Sequence, residues 1–334
     1  MTESAVSVRR QAAAAARHVH PNRFVTLALM ALVGCSTEES ARATTTESAR
    51  LDCSRQALAL QVLGSGGPMI DDERASSGYV IWVQGESRLL IDAGGGIFQR
   101  FSQSSARLES LDAIALSHLH VDHSADLIAL LKGGYFIGRT RALPVIGPSG
   151  SDLFPSTDAY LRALLDSTTG AYRYLSGYIE GGRGWFQLVP RVVDASSATP
   201  DLVFDRNGLQ LQAVGVGHGH VPALGFVVTV SGRKIAFTGD QDGQSEAFVA
   251  LARDADVLVA HHAIPETDDT ALRALHMTPS AIGDLAAGIV PSRLVLSHHM
   301  QRALERRAQG EQAIRRRYQG PLDYANDLDC FVVE

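Results

Sequence analysis

The stretch that decides the fold is Ser117-His118-Leu119-His120-Val121-Asp122-His123, which directly follows a strand-like run. In an extended segment alternate side chains share a face, so the first two histidines and the aspartate point the same way. The turn that follows brings the third histidine round to them. Neutral imidazoles and a carboxylate are the ligands of zinc and similar divalent ions. This spacing therefore predicts a metal site.

The other histidines and one aspartate lie where they can complete this site. Ten of the twelve histidines fall into five short clusters: His118/His120/His123, His218/His220, His261/His262, His276 and His298/His299. Asp240 ends a strand-like run, where a carboxylate can bridge two cations, and His298 follows another such run. Because one zinc site needs three protein ligands and a water, this supply of ligands predicts two metal ions.

Strand-like and helix-like segments alternate from Leu58 to the end of the chain. The run 79–83, for example, has a strand pattern, and 125–132 has a helix pattern. In both halves strands come first and strand–helix alternation follows, which predicts an α/β fold of two mixed sheets packed face to face with helices outside. We expect one such domain at 57–334, in which the aromatic-rich segment 150–206 is an insertion that borders the site.

The chain resembles the metallo-β-lactamase superfamily, and within it the branch of ribonuclease Z and related phosphodiesterases and arylsulfatases. The resemblance extends over about 58–330. Beyond the histidine motif it rests on five stretches: 63–68 (LGSGGP), 90–94 (LIDAG), 146–150 (IGPSG), 276–278 (HMT) and 296–298 (LSH). It implies the αββα sandwich of that superfamily.

The resemblance also implies a role for each ligand. Seven side chains would hold two divalent ions: His118, His120 and His218 on the first, Asp122, His123 and His298 on the second, and Asp240 between them. His220 remains an alternative to His218, which we prefer because it directly follows a strand-like run. Zinc is the expected metal, with manganese or iron as alternatives.

Such a site predicts a binuclear metal-dependent hydrolase. Two cations and Asp240 would lower the pKa of a shared water, and the resulting hydroxide would attack a phosphodiester or a related ester. The resemblance, through the histidine of the 276–278 stretch, implies that His276 is the proton donor to the leaving group, and its place just before a helix start agrees with that role. His261 and His262 end a strand, and the sequence does not decide which of them supports the ligands or contacts substrate. We take His261 as the catalytic candidate.

Composition narrows the substrates and partners. The 334 residues are 45% hydrophobic and 20% charged, which is ordinary for a globular protein, and three cysteines are too few for a disulfide scaffold. The net charge of -6 argues against a surface that holds a polyanion. We therefore expect a small ester substrate and no nucleic acid, and a homodimer is left open. Alternatives are an arylsulfatase or lactonase with the same site, and a non-catalytic periplasmic binding lipoprotein.

The first 34 residues have the pattern of a signal peptide. Four arginines precede or begin an apolar run that is too short to span a bilayer. The run ends in Leu32-Val33-Gly34-Cys35, which resembles the lipobox of bacterial lipoproteins. Cys35 would then be lipidated, 35–56 would be a flexible tether, and the protein would be anchored to a membrane in the periplasm or at the cell surface. In that compartment Cys53 and Cys330 can form a disulfide, with two buried thiols as the alternative.

Overall fold

A computed structural model describes residues 51–182 and 184–334. The predicted signal peptide 1–34, the predicted anchor Cys35 and the tether up to residue 50 lie outside the described residues. Within the described part, fourteen strands form two seven-stranded sheets. The strands are β1 (Leu58–Gly64), β2 (Gly78–Val83), β3 (Glu86–Ile91), β4 (Ala113–Ala115), β5 (Leu143–Pro148), β6 (Leu188–Val193), β7 (Asp201–Arg206), β8 (Leu209–Val216), β9 (Ala223–Val230), β10 (Arg233–Phe237), β11 (Val257–His261), β12 (Arg293–Ser297), β13 (Leu322–Tyr324) and β14 (Cys330–Val332).

Helices lie between these strands along the chain. Short 3-10 helices span Cys53–Arg55 and Arg173–Leu175. The described α-helices are α1 (Ile97–Gln103), α2 (Val121–Ser124), α3 (Leu127–Gly134), α4 (Thr157–Leu165), α5 (Gly177–Glu180), α6 (Glu246–Ala252), α7 (Thr270–Leu275), α8 (Pro279–Ile289), α9 (Gln301–Leu304) and α10 (Arg307–Arg315). In the described part of the chain, no helix has both the length and the apolar character needed to cross a membrane.

Both sheets are mixed. The first has the order β14-β1-β2-β3-β4-β5-β6, with antiparallel pairing from β14 to β3 and parallel pairing from β3 to β6. The second has the order β13-β12-β11-β10-β9-β8-β7, antiparallel from β7 to β10 and parallel from β10 to β13. Each sheet therefore has several parallel strands whose carboxyl ends share one edge.

Three apolar layers hold the sheets and helices together. Tyr79 and Phe237 belong to the layer between the two sheets. Because side chains alternate along a strand, the same strands also face outward, where Leu131 of α3 packs on the first sheet and Ile282 of α8 packs on the second. This arrangement confirms the predicted αββα sandwich, and it explains why many strands are apolar on both faces.

Short-range sequence signals set two elements beside the site. Ser231 and Gly232 have φ values of 51° and 82°, the backbone of a two-residue turn that joins β9 to β10. Thr278 caps α8, because its side chain accepts a hydrogen bond from the amide of Ala281, and Pro279 occupies the first turn. Strand β10, whose carboxyl end precedes Asp240, and helix α8, which follows His276, therefore begin at defined residues.

The ordered domain begins before residue 57. Cys53 is buried in the first 3-10 helix and forms a disulfide with Cys330 of β14. Asp52 caps that helix by accepting a hydrogen bond from the amide of Ser54. The disulfide joins the two ends of the domain, and the predicted end of the tether at residue 56 is a few residues too late.

The segment 150–206 is more than an insertion. It contains α4 and α5, but it also supplies β6 and β7, the outermost strands of the two sheets. Apolar periodicity in β6 is weak because this edge strand is buried only at Leu188 and Val193. The prediction of an insertion was therefore wrong for 188–206, where the chain completes both sheets.

Candidate metal centre

The predicted ligands meet at one end of both sheets. The carboxyl ends of parallel strands share an edge, and loops beyond that edge are the usual place for a site in α/β folds. The histidine motif follows β4 in the first sheet. In the second sheet Asp240 follows β10 and His298 follows β12, while His218 lies between β8 and β9. Residues far apart in sequence are brought together in this way.

The histidine motif is extended only as far as His120. That residue has φ -61° and ψ 152°, and helix α2 begins directly after it. Asp122 and His123 therefore project from a helical turn. The expectation that strand alternation places Asp122 beside the first two histidines was wrong, although the turn still brings its carboxylate to the site.

His118, His120, His218 and Asp240 form the first ligand group, with ligand atoms that all lie within 4.8 Å of one another. His118 Nε2 lies 3.0 Å from His120 Nδ1 and 3.8 Å from Asp240 Oδ2. His218 Nε2 lies 3.7 Å from the same carboxylate oxygen. His218 is buried and His220 is exposed, so the structure places His218 in this group.

Asp122, His123 and His298 form the second group around the same aspartate. His298 Nε2 lies 3.1 Å from His123 Nε2 and 3.2 Å from Asp122 Oδ2. It also lies 3.5 Å from Asp240 Oδ1. His298 has a φ of 54°, a left-handed conformation that is uncommon for a residue with a side chain and recurs at functional sites. His261 lies close to this group as well, with Nδ1 2.7 Å from Asp240 Oδ1.

These side chains fit divalent cations. The Nε2 atoms of His123 and His218 both lie 3.7 Å from Asp240 Oδ2, which is too long for a hydrogen bond. Two ligands of one tetrahedral zinc, each bound at about 2.0 Å, are about 3.3 Å apart, so a cation between these atoms needs little movement. Nε2 of His218 is buried and has no hydrogen-bond partner in the described residues, which is costly unless it binds something.

Neighbouring groups fix the orientation of the ligand rings. Asp92, buried at the end of β3, accepts a hydrogen bond from His123 Nδ1 at 2.8 Å and from the Ser117 amide at 2.7 Å. His218 Nδ1 lies 2.6 Å from the carbonyl oxygen of Leu275 and donates to it. In both histidines this leaves Nε2 to bind a metal, the arrangement that carboxylate and carbonyl partners of metal-bound histidines produce.

Asp92 is a functional residue that sequence reasoning missed. It lies in the LIDAG stretch, which was singled out only as part of a family resemblance. An aspartate at the end of an apolar strand beside a histidine motif is the signal that could have found it, because buried carboxylates need donors.

Burial and neighbouring charges determine which side chains of the cluster are ionised. Burial opposes ionisation of Asp240, but the nearby rings of His298 and His123 and the hydrogen bond from His261 outweigh it and hold the pKa of Asp240 well below its usual range. Burial lowers the pKa of His118 well below its usual range, and it also lowers that of His218. Burial opposes a charge on His123, but the carboxylates of Asp92 and Asp240 outweigh it and raise the pKa of His123 well above its usual range, so a cation that binds this ring must displace a proton.

His276, the predicted proton donor, lies beside Asp240. It ends α7, and its Nδ1 is buried 3.7 Å from Asp240 Oδ2. Its side chain also lines a cleft with Arg273, Asp242 and Thr278. Burial lowers the pKa of His276 to about 3, so the ring is neutral near pH 7.

The structure distinguishes His261 from His262, whose roles the sequence left undecided. His261 lies in the site, whereas His262 is bonded to His299, with their Nδ1 atoms 3.3 Å apart. At the mouth of the site the ring of Phe154 packs edge-on against His120, with centroids 5.7 Å apart, and the neighbouring side chain of Val121 is exposed. These two apolar side chains form a rim beside the first ligand group.

Comparisons with known proteins agree with this architecture. A family model for the beta-lactamase superfamily domain matches residues 87–299. The ribonuclease Z of Mycolicibacterium paratuberculosis is 29% identical over 187 residues, which is 55% of this chain and 62% of the relative. The ribonuclease Z of Methanosarcina acetivorans is 27% identical over 270 residues, 72% of this chain and 87% of the relative. The chain thus spans less than two thirds of the mycobacterial relative.

Solved structures share the fold. The short form of human tRNase Z has a TM-score of 0.61 and 23% identity, with 83% of this chain and 99% of that chain covered. A metallo-beta-lactamase fold protein from Bacillus subtilis has a TM-score of 0.61 and 19% identity, with 82% and 98% covered. At sequence identities of 19% and 23%, the similarity to these structures establishes the fold and nothing further. The ribonuclease Z relatives, however, conflict with the expectation that nucleic acid is not a partner.

Proposed function

Because the chain belongs to the beta-lactamase superfamily, we propose that it is a binuclear metal-dependent hydrolase that cleaves the phosphodiester, or a related ester, of a small substrate. One observation carries this proposal: Asp240 lies between the two ligand groups, with Oδ2 3.8 Å from His118 and 3.7 Å from His218 of the first, and with Oδ2 3.7 Å from His123 and Oδ1 3.5 Å from His298 of the second. The ions would be held by His118, His120 and His218 on one side, Asp122, His123 and His298 on the other, and Asp240 on both.

Divalent ions bound in such a site acidify a water to hydroxide near neutral pH and withdraw charge from the oxygen of the attacked ester. The protein's own part is to hold the ligand rings in a fixed orientation and to exclude bulk water. Asp92 and the carbonyl of Leu275 hold two ligand rings by Nδ1, and the ligand rings of His118 and His298 are fully buried. Little reorganisation is then needed when substrate arrives.

We assign proton transfer to His276. Its Nδ1 is buried against Asp240, so Nε2 is the ring nitrogen that can reach a leaving-group oxygen in the cleft. An anionic substrate in that cleft would offset the effect of burial and favour a protonated ring. Nε2–H would then donate its proton to the alkoxide as the ester bond breaks.

A substrate panel tests the proposal. The zinc- and manganese-loaded protein would be assayed with bis-p-nitrophenyl phosphate, cyclic AMP, p-nitrophenyl sulfate, a homoserine lactone and nitrocefin. We expect the first compound to be cleaved fastest. Turnover of only the sulfate, only the lactone or only nitrocefin would move the activity to that ester class. Two bound metal ions with no turnover of any compound would favour a binding protein.

RNA is the second candidate substrate, because the relatives at 27–29% identity are named ribonuclease Z. The net charge of -6 and the apolar rim at Phe154 and Val121 favour a small substrate instead. A precursor tRNA transcript assayed beside cyclic AMP separates the two. Cleavage of the transcript with a higher kcat/KM than that of cyclic AMP would replace the small-substrate proposal.

We also propose that the protein is exported and anchored to a membrane through Cys35. The disulfide between Cys53 and Cys330 supports this location, since disulfides persist in oxidising compartments. Mass spectrometry of the native N-terminus tests it. A lipid-modified chain that begins at Cys35 is the expected result, and an unmodified chain that begins at Met1 would contradict it.

A further inference from the structure

We infer that His261 is a positioning residue that orients Asp240 without binding a metal ion, and that the hydroxyl of Tyr79 holds His261 in that role. The inference deepens the proposed binuclear site and rests on it. Distance alone does not show whether His261 binds a metal ion, because one of its ring nitrogens lies within 4.8 Å of the ligand atoms of His123, Asp240 and His298.

Both ring nitrogens of His261 are already engaged. Nδ1 lies 2.7 Å from Asp240 Oδ1, and because a carboxylate only accepts hydrogen bonds, Nδ1 carries the proton. Nε2 lies 3.1 Å from the hydroxyl of Tyr79. That hydroxyl donates to Ser297 Oγ at 3.0 Å and lies 3.3 Å from Ser77 Oγ. Two ligands of one tetrahedral zinc are about 3.3 Å apart, so Nδ1 and Oδ1 at 2.7 Å are too close to hold one ion between them, and Nε2 faces Tyr79 instead of the ligand groups.

Two of the ligand histidines, His123 and His218, show a different pattern. His123 has Nδ1 bonded to Asp92 and Nε2 directed at the other ligands, and His218 has Nδ1 bonded to a carbonyl and Nε2 without a partner. Each of them therefore has one nitrogen fixed by the protein and one available. His261 differs because a second protein group occupies the nitrogen that a metal would need.

The surroundings of His261 restrict the ring to this orientation. It stacks on the ring of His298 with centroids 4.6 Å apart and planes 11° apart, so its edges face along the plane towards Asp240 and Tyr79. Tyr79 comes from β2 of the first sheet, is fully buried and packs against Phe237 of the second. The contact between the Tyr79 hydroxyl and His261 Nε2 thus crosses the core between the sheets.

The consequence concerns Asp240. Donation from His261 Nδ1 fixes the position of Oδ1 and so restricts the rotation of the Asp240 carboxylate. Oδ2 is then directed at His118 and His218 of the first group and at His123 of the second. His261 therefore sets how one carboxylate is shared between two ions.

Two substitutions at His261 separate a ligand from a positioning residue. In H261N the side-chain amide can donate to Asp240 as Nδ1 does, but an amide is a poor zinc ligand. In H261A nothing donates. Zinc affinity would be measured by chelator competition, and the visible absorption of the cobalt(II)-loaded protein would report the ligand set.

We expect H261A to bind zinc about 10–100-fold more weakly than the native protein, the usual cost of losing a group that orients a ligand. H261N should recover most of that loss and keep the native cobalt(II) spectrum. Equal losses in both variants, with a changed spectrum, would overturn the inference by making His261 a ligand. If the native protein itself binds no zinc, the proposed binuclear site fails instead.

The role of Tyr79 is tested by Y79F, with Y178F as the matched control. Tyr178 is another buried tyrosine, and its hydroxyl donates to the carbonyl of Leu131, away from the ligands. Both variants lose one buried hydroxyl, so both should unfold at lower denaturant concentration. Only Y79F should also bind zinc more weakly. Equal zinc affinity in the two variants would overturn the part assigned to Tyr79.

Discussion

Replacing Asp92 by asparagine should disable one ligand while leaving the fold intact. Asp92 Oδ1 accepts from the Ser117 amide at 2.7 Å, and Oδ2 accepts from His123 Nδ1 at 2.8 Å. In D92N the carbonyl oxygen can keep the bond to the amide, which leaves the NH2 group facing His123. Because NH2 is a donor, His123 must then accept at Nδ1 and carry its proton on Nε2. A protonated Nε2 cannot bind a metal ion.

The size of the effect follows from these bonds. Losing an orienting partner of a ligand histidine costs about 10–100-fold in metal affinity. That corresponds to about 1.4–2.7 kcal/mol. The fold itself loses a charge-assisted bond to His123 and gains a weaker neutral one, so the free energy of unfolding should fall by about 1–2 kcal/mol.

Chelator competition and urea unfolding measure both quantities, and D112N is the matched control. Asp112 is equally buried, and its carboxylate is bonded to Arg88 and Arg141 away from the ligands. D112N should lower the stability of the fold and leave zinc affinity unchanged. If D92N and D112N have the same zinc affinity, Asp92 does not set the protonation of His123 and the reasoning is wrong.

Three further predictions concern other parts of the chain. H276A should slow hydrolysis of esters with poor leaving groups by about 10²–10⁴ and barely change release of p-nitrophenolate; equal losses would remove the proton-donor role. C53S should lower the free energy of unfolding by about 2–5 kcal/mol in urea, because the disulfide to Cys330 closes a long loop, and an unchanged midpoint would contradict that. G94A should reduce the metal content measured by elemental analysis, because a Cβ there would lie 2.0 Å from the carbonyl oxygen of Asp122 and displace that residue. An unchanged metal content would contradict this prediction.

The fold and most of the site could be predicted because their signals are local. The turn at Ser231-Gly232, the cap at Thr278 and the histidine motif each depend on a few neighbouring residues. The histidine motif also indicated the edge of the sheets at which His298, at the end of another strand-like run, was expected. Local signals failed at 188–206, because an edge strand that is mostly exposed has little apolar periodicity to detect.

The roles of Asp92, Tyr79 and His261 could not be read from the sequence. Each depends on a hydrogen bond between residues that are distant in the chain, such as the 182 positions that separate Tyr79 from His261. A tyrosine in an apolar strand looks like an ordinary core residue. Only the packing of the two sheets shows that its hydroxyl meets a histidine beside the ligands.

Metal stoichiometry tests the central claim most directly. Residues 36–334, purified and loaded with zinc, would be compared by elemental analysis with D240A and with D256A, a control aspartate that is bonded to Arg233 away from the site. We predict two zinc ions per chain for the native protein and for D256A, and a loss of zinc in D240A, because both ligand groups share that carboxylate. Two tightly bound zinc ions in D240A, or none in the native protein, would contradict the account.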